Sequence, residues 1–130
     1  MTKQRASSGS PYEDSIGFCR AVRTGNRIVV AGTGPIAADG STAAPGDAYG
    51  QAKRCFEIIA AAIANLGGDM KDVVRTRMFL VNVEDWEKAR RAHGEAFAGI
   101  KPAATMVAVK ALIGSDWLIE IEAEAEVEEQ

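Results

Sequence analysis

A chain of 130 residues with a formal charge of -3 and a pI near 5.2 is long enough for a single domain over 1–130, which would bury roughly 68 to 70% of its unfolded surface. The acidic balance excludes a general nucleic-acid binder, because nonspecific affinity comes mainly from Lys and Arg neutralising phosphates. No apolar run approaches the ~20 residues that span a bilayer, and Met1 to Ser10 lacks the apolar core of a signal peptide. A cytoplasmic protein with no membrane partner and no nucleic-acid partner is therefore expected. The two cysteines, Cys19 and Cys55, have no metal-ligand spacing and are too few for a disulfide framework, which points to a reduced chain with no metal.

In chain order, Met1 to Pro11 is polar and Ser-rich, and is expected to be loosely ordered unless an edge strand captures it. Phe18 to Ala31 reads as a hairpin, with strands at Phe18 to Val22 and Arg27 to Ala31 around Gly25-Asn26, two residues that tolerate positive φ. Arg20, Arg23 and Arg27 in this stretch read as solvated strand or turn positions. Gly32-Thr33-Gly34-Pro35-Ile36-Ala37 matches a dinucleotide fingerprint in spacing. That motif needs a helix to start at once and meet the pyrophosphate. Asp39-Gly40 and Pro45-Gly46 interrupt instead, so the stretch reads as a loop leaving a strand.

The first helix is predicted over Asp47 to Leu66, with Ala52, Cys55, Phe56, Ile59, Ile63 and Leu66 at steps of three and four, Asp47 as N-cap and Gly67-Gly68 as the stop. Cys55 lies on that apolar stripe and reads as a packing residue. Tyr49 and Gln51 near the helix start can face a cleft. Val73 to Val81 is predicted as a strand that puts Arg75 and Arg77 on one face. A solvated or interface face accounts for them, and an anion-binding face is the alternative. A second helix over Asp85 to Phe97 turns Trp86, Ala89, His93, Ala96 and Phe97 inward. His93, the only histidine, reads as half-buried with one hydrogen-bond partner, because no Ser or Cys stands at a triad spacing and a lone imidazole makes a poor metal site.

Lys101 to Glu128 is read as two strands joined by a turn at Gly114-Ser115-Asp116. In the second strand Ile119, Ile121, Ala123, Ala125 and Val127 alternate with Glu120, Glu122, Glu124, Glu126 and Glu128, giving one apolar face and one acidic face. Strand, strand, long helix, strand, helix, strand, strand is an α+β order. It predicts a two-layer sandwich of a mostly antiparallel sheet with two helices on one face. The other face mixes Val, Met and Glu, and a homo-oligomer that packs these faces around an axis would cover it, with clefts between subunits.

The residues Arg20-Ala21-Val22, Gly25-Asn26, Val29-Val30-Ala31-Gly32, Pro35, Gln51, Asn65-Leu66-Gly67-Gly68, Asp72-Val73-Val74-Arg75-Thr76, Phe97, Lys101-Pro102-Ala103 and Glu120-Ile121-Glu122 occur in an order that resembles the Rid superfamily, also called YjgF/YER057c/UK114. The resemblance implies a chorismate-mutase-like fold and a homotrimer with three intersubunit clefts that each hold a small-molecule ligand. In the best-known branch it implies hydrolysis of reactive imines and enamines, with no cofactor and no metal. It further implies an Arg after Pro-Ala, a Cys two residues on, a tyrosine from the first strand and a Glu from the last.

Carried onto this chain, that arginine falls at Ala104, the cysteine at Met106 and the tyrosine at Phe18, while Glu120 is kept as the catalytic candidate. Phe18, Gly32, Thr33, Ala104, Thr105, Met106 and Glu120 form the expected ligand-binding set, in which Thr33 and Thr105 can donate hydroxyls and Gly32 can expose backbone. Losing a charge-assisted carboxylate clamp costs on the order of 2 to 5 kcal/mol in a desolvated site. A neutral or cationic ligand therefore fits better than an iminoacid. A deaminase served by another arginine, Arg75 or Arg77, and a non-catalytic regulatory or chaperone-like interaction module are the alternatives. A ribonuclease is disfavoured by the acidic balance and the absence of a paired catalytic histidine.

Overall fold

The computed structural model describes residues 2–128. Six strands, β1 (Gln4–Ala6), β2 (Ala21–Thr24), β3 (Arg27–Thr33), β4 (Val73–Leu80), β5 (Ala103–Ala108) and β6 (Ile119–Glu126), form one sheet in the order β1-β2-β3-β6-β4-β5. Every neighbouring pair is antiparallel except β4 and β5. Two main helices, α2 (Ala48–Asn65) and α3 (Trp86–Ala96), pack against each other, and α2 lies across β3 and β6. A short helix, α1 (Pro11–Ile16), precedes β2. The α+β two-layer architecture is the expected one.

The core follows from two periodicities meeting. Ala52, Cys55, Phe56, Ile59 and Ile63 on α2 and Leu66 at its C-cap are all buried, and so are Ile119, Ile121, Ala123 and Ala125 on β6, the strand residues that share the apolar face. Fully burying each of the larger side chains stabilises the fold by about 1.5–3 kcal/mol. Ala52 on the helix and Ala123 and Ala125 on the strand keep the layers close. Asp47 is the N-cap of α2 by position, but its side chain makes no cap hydrogen bond.

Several sequence expectations change. The last two strands are not neighbours: β6 inserts between β3 and β4, and β5 runs parallel to β4 at the sheet edge. The turn at Gly114 is present, with Trp117 N–H donating to Gly114 O at 3.1 Å. The N-terminal stretch is captured by the edge of β2 as β1. Phe18 to Arg20 precede the first long strand, which begins at Ala21. Trp86 is 48% exposed, because it opens α3 a turn before Ala89, the first residue of that helix buried in the core.

Gln51 does not face a cleft. It is fully buried on α2, where Oε1 accepts from Leu118 N–H at 2.7 Å while Nε2 donates to Asp116 O at 3.1 Å and Ala44 O at 3.4 Å. One amide thus anchors the turn that launches β6. The variant Gln51→Ala leaves those backbone groups unpaired and opens a cavity, a loss of about 2–4 kcal/mol. Thermal unfolding should show this as a Tm drop of roughly 10 °C; a drop under about 2 °C would show that the clamp carries little weight.

Candidate functional site

At the end of β3, Val30 pairs with Ala123 but Thr33 pairs with Ile121, so Ala31 and Gly32 together oppose Glu122. This β-bulge carries one extra residue and bends the strand. Both glycines beside it are demanded by close approach. A Cβ on Gly32 would run into the Glu120 carboxylate, and one on Gly34 would lie 2.6 Å from the Trp117 ring. The Gly-x-Gly spacing therefore serves packing across β3, and no helix begins until Ala48.

The bulge opens a cavity of about 110 Å³ whose walls include Tyr12, Phe18, Ile113, Trp117, Arg20 and Glu120, with Gly32 at its floor. Tyr12 meets Trp117 edge to face, with centroids 5.9 Å apart. Tyr12 is delivered by α1, whose start is a Ser10–Glu13 capping box with Pro11 in its first turn. The cavity is thus mostly aromatic and aliphatic around a single carboxylate. Burial pushes the Glu120 carboxyl above its ordinary value, nearby Arg20 opposes this, and Glu122 adds to it.

Arg20 corrects the expectation of a solvated arginine, being only 4% exposed. Its Nη1 donates to Gly32 O at 2.6 Å and Thr33 Oγ1 at 3.1 Å, and its Nε donates to Ser8 Oγ at 3.3 Å. Its guanidinium lies 5.2 Å from the Phe18 ring centroid. The nearest opposite charges, Glu13 and Glu120, act on it at longer range. Glu13 is occupied by Ser8 and Ser10, whose N–H groups donate at 3.0 and 3.3 Å.

The remaining glutamates of β6 meet arginines across the open face. Arg77 pairs with Glu122 at 3.2 Å and Glu124 at 3.7 Å, and Arg75 pairs with Glu124 at 3.5 Å. Arg27 pairs with Glu124 and, at 3.2 Å, with Glu126. Arg75 and Arg77 are therefore engaged on the sheet, opposite Glu124 and Glu122 in register, and line no part of the Glu120 cavity. The Glu124 side chain is only 18% exposed and lies among three arginines.

The expected ligand-binding residues separate into two groups. Phe18, Gly32 and Glu120 share the cavity. Thr33 sits behind it, tied to Arg20 and donating to Ala31 O at 2.8 Å. Ala104, Thr105 and Met106 lie on the edge strand β5, with all of β4 between them and β6; Met106 packs against the core. One chain alone does not bring the two groups together. Sequence reasoning passed over Tyr12, Ile113 and Trp117 and read Arg20 as solvated. The Ser10-Pro11-Tyr12-Glu13 capping box was the readable signal for Tyr12.

Elsewhere, His93 shares a 2.8 Å hydrogen bond with Thr76 Oγ1 and stacks near Phe56 and Phe97, and burial lowers its pKa. Cys55 is buried and its thiol pKa is pushed up by burial, while Cys19 and Cys55 are both free. Among the described residues no His, Cys, Asp and Glu group has metal-site geometry, and no helix is long and apolar enough to cross a membrane.

The family model described as Endoribonuclease L-PSP matches residues 12–127. An uncharacterised protein of Streptomyces coelicolor is 40% identical over 122 residues, covering 94% of this chain and 90% of that protein. The 3-aminoacrylate deaminase RutC of Acinetobacter baylyi is 32% identical over 110 residues, covering 85% and 86%. The crystal structure of a YjgF/YER057c/UK114 family protein from Mycobacterium tuberculosis superposes with a TM-score of 0.87 at 37% identity, covering 97% of this chain and all of that one. With the same sheet and helices, and sequence similarity spanning most of its length, this chain belongs to the YjgF/YER057c/UK114, or Rid, family.

Proposed function

We propose that the protein assembles as a homotrimer and holds a neutral or cationic small metabolite in clefts between subunits, with Glu120 as the acid–base group, and that it is not a standard 2-iminoacid deaminase. The observation that carries this is the cavity itself: aromatic and aliphatic walls around one half-buried carboxylate, with Ala104 where the family resemblance calls for an arginine. The open sheet face supports the assembly, because Val29 and Val107 are exposed there beside paired charges, a mixture that a second copy can cover. Stacking of another subunit's β5 near Glu120 would join the two groups that one chain keeps apart.

The chemistry open to this arrangement is hydrolysis at a C=N bond. On an iminium, Glu120 takes one proton from water as the oxygen adds to the carbon and passes it to the nitrogen of the resulting carbinolamine. It then takes the hydroxyl proton as the C=O bond forms and the C–N bond breaks, leaving a carbonyl compound, ammonia and a protonated Glu120 that returns its proton to solvent. A carboxyl with a raised pKa suits both directions of that transfer. A cationic nitrogen is attracted by Glu120 and by the aromatic wall of Trp117, whereas a ligand carboxylate would meet Glu120 with Arg20 as the one counter-charge in the cavity wall.

A second reading keeps deaminase activity on acidic substrates. It is favoured by the deaminase relative from Acinetobacter and by Arg20, whose positive charge reaches the same cavity. Arg75 and Arg77 do not serve it, being engaged with glutamates. A ribonuclease reading draws no support from His93, which is half-buried and bonded to Thr76. An interaction module without a ligand would be better matched by a filled cleft than by an open cavity.

Freshly generated 2-iminoacids should be hydrolysed no faster with the protein than without it, as followed by ketoacid release; acceleration that disappears in Glu120→Gln would establish the second reading. The variant Ala104→Arg should gain binding of 2-oxo acids by at least about tenfold, the effect of roughly 1.4 kcal/mol, seen by calorimetry; unchanged affinity would show that Ala104 lies outside the cleft. The folded carboxyl of Glu120 titrates above its ordinary value of 4.5, so its contribution to stability is greatest below that pH and is lost as pH rises through the folded pKa. Glu120→Gln should therefore gain Tm relative to the parent as pH rises above 4.5; a relative loss there would contradict the sign.

A further inference from the structure

Arg20 also lines a second cavity, of about 70 Å³, whose wall does not include Glu120. Its walls carry two guanidinium groups, Arg20 and Arg54, together with the hydroxyl-bearing Ser8, Ser10 and Thr33. None of its lining residues is acidic. We infer that this cavity is a binding site for a small tetrahedral oxyanion, phosphate or sulfate in size, held between Arg20 and Arg54.

The state of Arg20 is the first ground. It is 4% exposed, yet its hydrogen bonds go to uncharged oxygens: Gly32 O, Thr33 Oγ1 and Ser8 Oγ. Glu13 and Glu120 compensate its burial only at longer range, and an anion bound directly beside the guanidinium offsets the remaining cost. Its Nη2 makes no hydrogen bond to a described residue. Since no fully buried polar side-chain atom among the described residues lacks a partner, Nη2 keeps some exposure, and Arg20 lines two cavities that can take it up.

Arg54 is the second ground. Its Nε is fixed on Ile36 O at 2.8 Å, which aims the guanidinium along the cavity wall. Its Nη1 reaches Glu57 at 3.2 Å on the outer, solvated side, leaving Nη2 without a described partner. A guanidinium presents its remaining N–H groups to an oxyanion in a fixed fork. The Ser10 hydroxyl, which accepts from Tyr12 N–H at 3.2 Å, has its own proton to donate.

Neighbouring carboxylates do not fill the site. Glu13 accepts from Ser8 Oγ at 2.8 Å, and Asp39 caps Ser41 through bonds of 3.0 and 2.6 Å. Glu57 is spent on the outer face of Arg54. The volume admits a tetrahedral ion or a few waters, too little for a nucleotide. The neighbouring cavity, which contains Glu120, repels the same ion, so the anion belongs on the Arg54 side.

The test is titration of the intact protein with inorganic phosphate against chloride at equal ionic strength, read by calorimetry and by Tm. Phosphate and sulfate should bind saturably and raise Tm, while chloride should not. Arg54→Gln should weaken phosphate binding by at least tenfold. Because Arg54 also anchors the Ile36 carbonyl, Ala38→Glu provides a second variant: it leaves both arginines in place and puts a carboxylate on the exposed rim, and it should weaken binding as much. Phenyl phosphate that binds as tightly as phosphate would support the site and assign it to a phosphorylated metabolite; much weaker phenyl phosphate binding would support it as a site for the free ion. Equal responses to phosphate and chloride, or parental affinity in both variants, would overturn the proposal.

Discussion

The insertion of β6 between β3 and β4 is the constraint on which the rest of this molecule depends. A strand with apolar residues on one face and glutamates on the other can occupy the middle of a sheet only if helices cover the first face and counter-charges meet the second. Here α2 supplies the cover. Arg27, Arg75 and Arg77, carried by the flanking strands, supply the charges. Glu120 is the exception in the row: at the end of the strand it faces the bulge and its cavity rather than an arginine on a neighbouring strand.

That exception is built from backbone choices. The bulge at Ala31-Gly32 displaces the end of β3, and the bare Cα atoms of Gly32 and Gly34 admit the Glu120 carboxylate and the Trp117 ring. Gln51 holds the start of β6 from the opposite layer, so the position of the carboxylate is fixed from both sides of the sheet. Arg20 then closes the arrangement, because its short bond to Gly32 O ties the bulge to the N-terminal segment through Ser8. A buried guanidinium with neutral partners is an unusual element to place at a junction. It serves as the shared wall of two cavities with opposite electrostatic character, one acidic and aromatic, the other basic and hydroxylic.

Much of the architecture was legible in the sequence where a strong period met a clear stop. The stripe from Ala52 to Leu66 and the Ile–Glu alternation of the last strand each have one physical solution, and both helices and the central strand came out within a few residues. The pairing of the closing strands was not legible, since neither alternation nor turn residues say which strand an edge will choose. The capture of Gln4 to Ala6 by β2, the outward place of Trp86 and the burial of Arg20 were hidden for the same reason: each depends on what lies opposite in space.

For the candidate site, the sequence by itself determined the inventory of the cavity that Glu120 lines: a carboxylate at Glu120, glycines at 32 and 34, and an aromatic at Phe18. It also determined the two faces of β6, because side-chain direction along a strand is a local property of the backbone. Only the tertiary structure decided that Tyr12 and Trp117 wall the Glu120 cavity, that Arg75 and Arg77 are spent on Glu122 and Glu124, and that Arg20 lies buried with its hydrogen bonds on uncharged oxygens. Burial and charge pairing are sums over neighbours distant in the chain, and no local pattern of residues contains them.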